Sequence, residues 1–209
     1  MRDYIFLDPE KKITRGSTRL IFEHPDDSSL LIKVSRFNPK YYYSKNFEDI
    51  KVELKRRYEH HCMLREINEY LRICLREHQG EIHQYLSKFT GFIDTNLGIG
   101  FIVEAQKTQE GKLAPTLKNL LKSKQFTHEH HQSLEDFFRI YCESNIIIGD
   151  LNQNNIVFIE KNDKITPIIV DGLGDKTLVP IRSWSSTAND KMKIKSVNKL
   201  KKIIRDSFH

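Results

Sequence analysis

Cysteine is scarce in this sequence: Cys62, Cys74 and Cys142 are widely spaced and odd in number. They match neither a zinc-ligand pattern nor a disulfide framework, and they fit a reducing cytosol. No apolar run approaches the ~18 residues of a transmembrane helix. The first dozen residues lack the apolar stretch of a signal peptide, because Asp3, Asp8 and Glu10 interrupt them. These absences predict a cytoplasmic protein without a membrane span. Internal repeats and low-complexity tracts are also missing. Hydrophobic residues make up 38%, below the ~45–50% of an ordinary domain. With 30% charged residues, a large wet surface is expected. Disorder is excluded by 12 Phe and 8 Tyr spread along the chain with many Ile and Leu. A length of 209 residues suits one domain, or one domain in two lobes. The net charge of +6 admits an anionic partner without choosing among nucleotide, nucleic acid and acidic membrane.

What is present falls into an ordered pattern. Ile13 to Arg15, Leu20 to His24 and Leu30 to Val34 read as three strands, the last two joined by the polar turn His24 to Ser29. From about Phe47 to His78 the chain has no Pro or Gly. Leu64, Ile67, Leu71 and Cys74 recur there at three- and four-residue steps, which predicts a long amphipathic helix. Phe89 to Asp94 and Gly100 to Glu104 read as two further strands. Leu117 to Leu121 predicts a short helix. A longer helix opens at Phe126-Thr127, with Leu134, Phe137, Phe138 and Tyr141 on one face. Ile146 to Ile148, Ile156 to Ile159 and Ile165 to Val170 read as short buried strands. A Lys-rich helix carrying Ile194, Val197, Leu200, Ile203 and Ile204 ends the order. The expected class is α+β in two lobes, residues 1–104 and 105–209, with a connector near Glu104 to Gln106.

The stretch that carries chemistry is Ile148-Gly149-Asp150-Leu151-Asn152-Gln153-Asn154-Asn155-Ile156-Val157. Asp150 stands five residues before Asn155, and Asp171-Gly172-Leu173-Gly174 follows at the end of an apolar strand. This is the spacing of the protein-kinase catalytic loop, D-x-x-x-x-N, and of the magnesium-binding Asp of a D-F-G-type turn. Phosphoryl transfer needs a carboxylate to orient and deprotonate the acceptor hydroxyl. It also needs oxygen ligands that hold Mg²⁺ against the triphosphate. Asp150 suits the first task, and Asn155 with Asp171 the second. Upstream, Leu31-Ile32-Lys33-Val34 puts a Lys in the third expected strand, where kinases grip the phosphates. Glu66, on the long helix, is the candidate to brace Lys33, with Glu59 and Glu69 as competitors. Gly16 and Ser17 are candidates for the phosphate loop. The backbone of Glu104 to Gln106 is the candidate for the adenine edge.

The chain resembles the YrbL family, small bacterial proteins of the PhoP regulatory network with a protein-kinase-like fold. The matching stretches include His24-Pro25-Asp26-Asp27, Leu31-Ile32-Lys33-Val34, Leu64-Arg65-Glu66-Ile67-Asn68-Glu69-Tyr70, Asp94-Thr95-Asn96-Leu97-Gly98-Ile99-Gly100 and Ile169-Val170-Asp171-Gly172-Leu173-Gly174-Asp175-Lys176. The resemblance implies a cytoplasmic, bilobal protein-kinase-like fold, with a small β-rich N-lobe, a reduced helical C-lobe and an ATP pocket.

Several features depart from the kinase pattern. Arg15-Gly16-Ser17-Thr18 has one glycine where kinases have G-x-G-x-x-G. Ile148-Gly149 replaces His-Arg before the catalytic Asp, and Asn152 replaces the Lys two residues beyond it. Only 38 residues follow Asp171, with no A-P-E, so a generic peptide substrate is disfavoured. Blander roles compete with the functional ones. Asp150 and Asn155 are also ordinary turn residues. The pairs His60-His61 and His130-His131 point about 100° apart on a helix and read as solvated faces rather than metal ligands. Lys191, Lys193, Lys195, Lys199, Lys201, Lys202 and Arg205 read as the outer face of a packed helix, which disfavours nucleic acid. Cys74 reads as a buried filler. The expectation is an atypical phosphotransferase using Mg²⁺ and ATP between two lobes. Its acceptor is a small molecule, an envelope sugar or a special protein, and a regulatory protein partner is compatible with it. The alternative is a nucleotide-sensing pseudokinase. A third class is a basic binding module built on the C-terminal helix.

Overall fold

The computed structural model describes residues 4–15, 19–35, 63–75, 80–161, 163–176 and 181–208. Gly16, Ser17, His60-His61, Cys62, Glu59 and most of the expected long helix lie outside these residues. The chain packs as two compact units, Met1–Leu64 with Lys88–Ala105, and Arg65–Ser87 with Gln106–His209.

Among the described residues, the first unit holds a six-stranded sheet. Its strands are β1 (Tyr4–Ile5), β2 (Thr14–Arg15), β3 (Arg19–Glu23), β4 (Leu30–Ser35), β5 (Phe89–Thr95) and β6 (Gly98–Glu104), in the order β1-β5-β6-β4-β3-β2. All pairs are antiparallel except β1 with β5. The five expected strands are β2 to β6. Strand β1 was not expected, being too short to show a period. The Asn96 side chain clamps the chain that follows it, accepting from Leu7 N–H at 2.7 Å and donating to Leu7 C=O at 3.0 Å. Alternation separates the two faces. Phe22, Ile32 and Val34 join Ile5 and Leu7 in one core, while Lys33 falls on the opposite face, beside Ile21 and Phe101. Gly100 gives that core room, since a Cβ there would meet Ile32 Cγ2 at 2.6 Å.

The second unit is mostly helical. Residues 63–75 form helix α1, and a 3-10 turn follows at Glu81–Tyr85. Then come α2 (Leu117–Lys122), α3 (His128–Glu143), the hairpin of β7 (Ile156–Lys161) and β8 (Lys164–Ile169), α4 (Ile181–Trp184) and α5 (Ser186–Asp206). The core gathers Leu134, Phe137 and Tyr141 of α3, Ile146, Ile148, Ile156, and Val197, Leu200 and Ile204 of α5. Phe137 and Tyr141 stack at 5.8 Å between ring centroids. Helix α5 therefore packs on its own unit through the expected stripe, although Ile194 is exposed.

Four expectations need correction. Ile146 to Ile148 is buried but is not a strand: it makes only isolated bridges, to Leu173 and Gly174. Its partner segment turns at Gly172 and Gly174, both at positive φ, and a ladder cannot extend through them. On α1, Leu64 and Leu71 are exposed and Cys74 is only half-buried, whereas Glu69 and Ile73 are buried. The inner face of this helix includes a carboxylate, which an apolar count assigns to solvent. His130 is half-buried, not on a solvated face. It occupies N3 of a capping box with Thr127, and its ring lies against Phe126 and Phe158. Lys193 is 1% exposed and belongs to the core side of α5.

Candidate active site

Asp150 and Asp171 sit on two loops that the backbone holds together. Gly149 N–H and Asp150 N–H both donate to Gly172 C=O, at 2.8 and 3.1 Å, and Gly174 N–H donates to Ile147 C=O at 2.8 Å. Val170 N–H donates to Asn155 C=O at 3.0 Å, tying the end of β8 to the start of β7. The Asn155 side chain closes the loop from within, its Nδ2 donating to Asp150 C=O at 2.9 Å. Asn152 is also committed locally: Oδ1 accepts from Asn154 N–H at 2.8 Å and Nδ2 donates to Asp150 C=O at 3.3 Å. One Asp171 carboxylate oxygen accepts from Gly172 N–H at 2.6 Å.

The glycines here are required by space. A Cβ on Gly172, whose φ is +93°, would meet Asp150 Cβ at 2.8 Å and Asn155 Nδ2 at 3.1 Å. A Cβ on Gly149 would meet Gly174 C=O oxygen at 2.2 Å. One on Gly174, at φ +80°, would meet the Arg65 Cγ at 2.4 Å. The close approach of the two loops is thus written into Gly149 and Gly172, and the passage of the turn beside α1 into Gly174.

Two buried polar groups anchor the segment leading into the loop. Glu69 of α1 accepts from Ile147 N–H at 2.7 Å and is held by Arg72, whose Nη2 also donates to Asn145 C=O at 2.8 Å. Arg182 of α4 is 7% exposed. It donates to Ile148 C=O at 3.1 Å, Asn189 Oδ1 at 3.0 Å and the Tyr141 hydroxyl at 3.3 Å, while its N–H donates to the Asp175 carboxylate at 3.2 Å. Burial pushes the Tyr141 hydroxyl up, and the guanidinium partly offsets that. Lys193 of α5 donates to the Ser144 and Cys142 carbonyls, capping the C-terminal end of α3, and faces Asp190 at 3.7 Å. Burial lowers its pKa, against the pull of Asp190.

Of the sequence-predicted site residues, the structure brings Asp150, Asn155 and the Asp171-Gly172 turn together within the second unit. Glu66 lies half-buried on α1 of that unit, and Gln106 is buried at the start of its second segment. Lys33 and Glu104 belong to the sheet unit, on the adjacent strands β4 and β6. Lys33 is 4% exposed. From the sequence, Arg182 and Lys176 carry no role, Gly149 figures only as the replacement of an Arg, and Glu69 only as a competitor to brace Lys33, whereas the structure gives Glu69 to Ile147 N–H and Arg72. Lys176 forms an ion pair with Asp150 at 2.5 Å, with both side chains over a third exposed. Its one signal was adjacency to the D-G-L-G run. Arg182 carries none, since no apolar period marks the short helix it lies on.

The sequence profile of the family described as "PhoP regulatory network protein YrbL" matches residues 5–206. The chain belongs to this family. Among curated proteins it is similar to "Uncharacterized protein YrbL" of Escherichia coli (strain K12), with 21% identity over 185 residues, 87% of this chain and 79% of that one. The protein of the same description from Shigella flexneri matches at the same identity and coverage. Among the described residues, no helix is long and apolar enough to cross a membrane.

Proposed function

We propose that this YrbL-family chain is an atypical phosphotransferase with a protein-kinase-like fold, using ATP and Mg²⁺. The observation that carries the reading is the hydrogen-bonded closure of the Asp150–Asn155 loop onto the Asp171-Gly172 turn. The strand run β2-β3-β4-β6-β5, with Lys33 on its middle strand and α1 between β4 and β5, supports the fold. The donor chemistry fits magnesium. Asn155 spends its amide nitrogen on Asp150 C=O, so its oxygen is the end suited to a hard cation. Among the described residues no cluster of three or more His, Cys, Asp or Glu gathers. Mg²⁺ needs only one or two protein carboxylates beside substrate phosphates. Asn155 and Asp171 would hold it, and the bound ion would neutralise charge on the triphosphate. Asp150 orients the acceptor hydroxyl and takes its proton. Lys33, on β4 of the sheet unit, is the phosphate-gripping candidate, and Glu66, on α1 of the second unit, is the helix carboxylate that the kinase pattern calls for. Glu104 and Gln106 are the backbone candidates for adenine, and Gly16 and Ser17 for the phosphate loop.

The test is melting temperature with ATP, with and without Mg²⁺, followed by ADP production. Ligand at 100-fold over its dissociation constant stabilises a fold by ~2.7 kcal/mol. A flat response to every nucleotide overturns the reading. Binding without ADP production favours a nucleotide-sensing regulator instead, for which the family description is suitable. That second reading draws on Asn152, whose neutral side chain is spent on holding its own loop.

A further inference from the structure

We infer that Lys176 supplies the cation for the transferring phosphoryl group, in place of the Lys that kinases carry at the position of Asn152. The inference rests on the phosphotransferase reading above and assigns a residue to it. Lys176 Nζ lies 2.5 Å from Asp150 Oδ2, so its charge sits at the carboxylate that faces the acceptor hydroxyl. An exposed ion pair contributes only ~0–1 kcal/mol to stability, so folding does not require this one.

What brings Lys176 there is the backbone. Ile147 C=O accepts from Gly174 N–H, and Ile148 bridges to Leu173 and Gly174. The stem of Lys176 then runs over Gly149: a Cβ on that residue would meet Lys176 N at 3.1 Å and Lys176 Cγ at 3.2 Å, as well as the Gly174 carbonyl oxygen at 2.2 Å. A side chain at position 149, such as the Arg usual in kinases, would displace this segment. Gly149, in place of that Arg, thus leaves room for Lys176, whose charge stands in for the one that Asn152 does not carry. The lysine moves from the catalytic loop to the segment after D-G-L-G.

In the step, an oxygen lone pair of the acceptor hydroxyl forms the new bond to the γ-phosphorus. The bond from that phosphorus to the β–γ bridging oxygen breaks, and ADP leaves with its electron pair. The hydroxyl proton passes to the Asp150 carboxylate and then to water. Negative charge on the phosphoryl oxygens is what Lys176 meets, and the same ammonium holds Asp150 in place until the acceptor arrives. Charge stabilisation of this kind acts on the transition state rather than on bound ATP.

The experiment compares wild type, Lys176→Ala, Lys176→Met and Lys176→Arg, after circular dichroism has shown that each is folded. The probes are Mg-ADP alone and Mg-ADP with aluminium fluoride, an anionic mimic of the transferring group, read by calorimetry. Mg-ATP hydrolysis with water as acceptor is read alongside. Aluminium fluoride is expected to tighten Mg-ADP binding in wild type and Lys176→Arg and to lose most of that effect in Lys176→Ala and Lys176→Met. Mg-ADP affinity should stay equal in all four, and kcat in the two neutral variants should fall by roughly 10²-fold, the scale of one lost charge-stabilising donor. Equal aluminium fluoride enhancement in wild type and Lys176→Ala overturns the role of Lys176 while leaving the phosphotransferase reading intact. A wild type that binds Mg-ADP without any such enhancement also overturns it. A wild type that binds no nucleotide removes the parent reading and this inference together.

Discussion

The Ile147 N–H donates to a buried carboxylate oxygen of Glu69 at 2.7 Å, across 78 residues of sequence. Ile147 is three residues before Asp150, so a helix near the beginning of the second unit sets the height of the candidate catalytic loop. Arg72 neutralises the carboxylate and at the same time takes Asn145 C=O. The segment 145–148 is thereby held by Glu69 and Arg72 at Asn145 and Ile147, and by Arg182 at Ile148.

Glu69→Ala is expected to destabilise the protein by about 2–3 kcal/mol, since it strands a buried N–H and removes a charge-assisted acceptor. Glu69→Gln keeps an acceptor for Ile147 and should cost less. Urea denaturation of both variants checks the order. Equal stability of Glu69→Ala and wild type would remove Glu69 as the anchor.

Lys193→Met should cost ~1–3 kcal/mol, because the carbonyls at the end of α3 lose their donor. Lys195→Met, at an exposed position of the same helix, should stay within ~0.5 kcal/mol of wild type. Thermal unfolding of the pair separates a core lysine from a surface one that the sequence makes look identical.

The contrast between those two lysines shows where sequence reading stops. Strands β3 to β6 and helices α2, α3 and α5 were legible because their apolar residues repeat with period 2 or 3.6, and Thr127 was legible as a cap. That Asp150, Asn155 and the Asp171 turn come together is what their motif spacing led one to expect. Lys193, Arg182 and, as an anchor of Ile147, Glu69 were not legible. Each is a charged residue buried by partners far away in sequence, and the hydrophobic period counts it as outward-facing. Gly149 was read only as a missing Arg. Its positive role, letting residues 174 to 176 pass, depends on a second loop whose approach no local pattern records.

Stability should also depend on pH through His130. Burial lowers its pKa from 6.5, with Glu129 opposing weakly. Its Nδ1 accepts from Thr127 N–H at 3.2 Å, which needs the neutral ring. The folded state therefore binds its proton later than the unfolded state does. Stability is fully present above pH 6.5 and declines as pH falls below 6.5 toward the lower folded pKa. His130→Gln retains a capping-box acceptor at N3 and cannot titrate, so its melting temperature should lose this step between pH 7 and pH 5. An unchanged step in the variant would assign it to another group.

The two candidate carboxylates should fail in different ways. Asp150→Asn keeps size and shape, and the ion pair it gives up with Lys176 is exposed, so the fold should hold. Mg-ATP should bind as before, while turnover falls ~10²–10⁴-fold for want of the base. Asp171→Asn keeps an oxygen for Gly172 N–H but loses the carboxylate charge. It should therefore lose the Mg²⁺-dependent part of ATP affinity before any chemistry is reached. A nucleotide sensor without turnover predicts a phenotype for Asp171→Asn alone, since no proton needs abstracting. Simple turn residues predict that both variants melt earlier and neither changes affinity in the folded fraction. Calorimetric titration and melting curves for both proteins distinguish these patterns. Equal Mg-ATP affinity in wild type and Asp171→Asn would remove Asp171 from the metal site, and with it the reason for reading the D-G-L-G turn as catalytic.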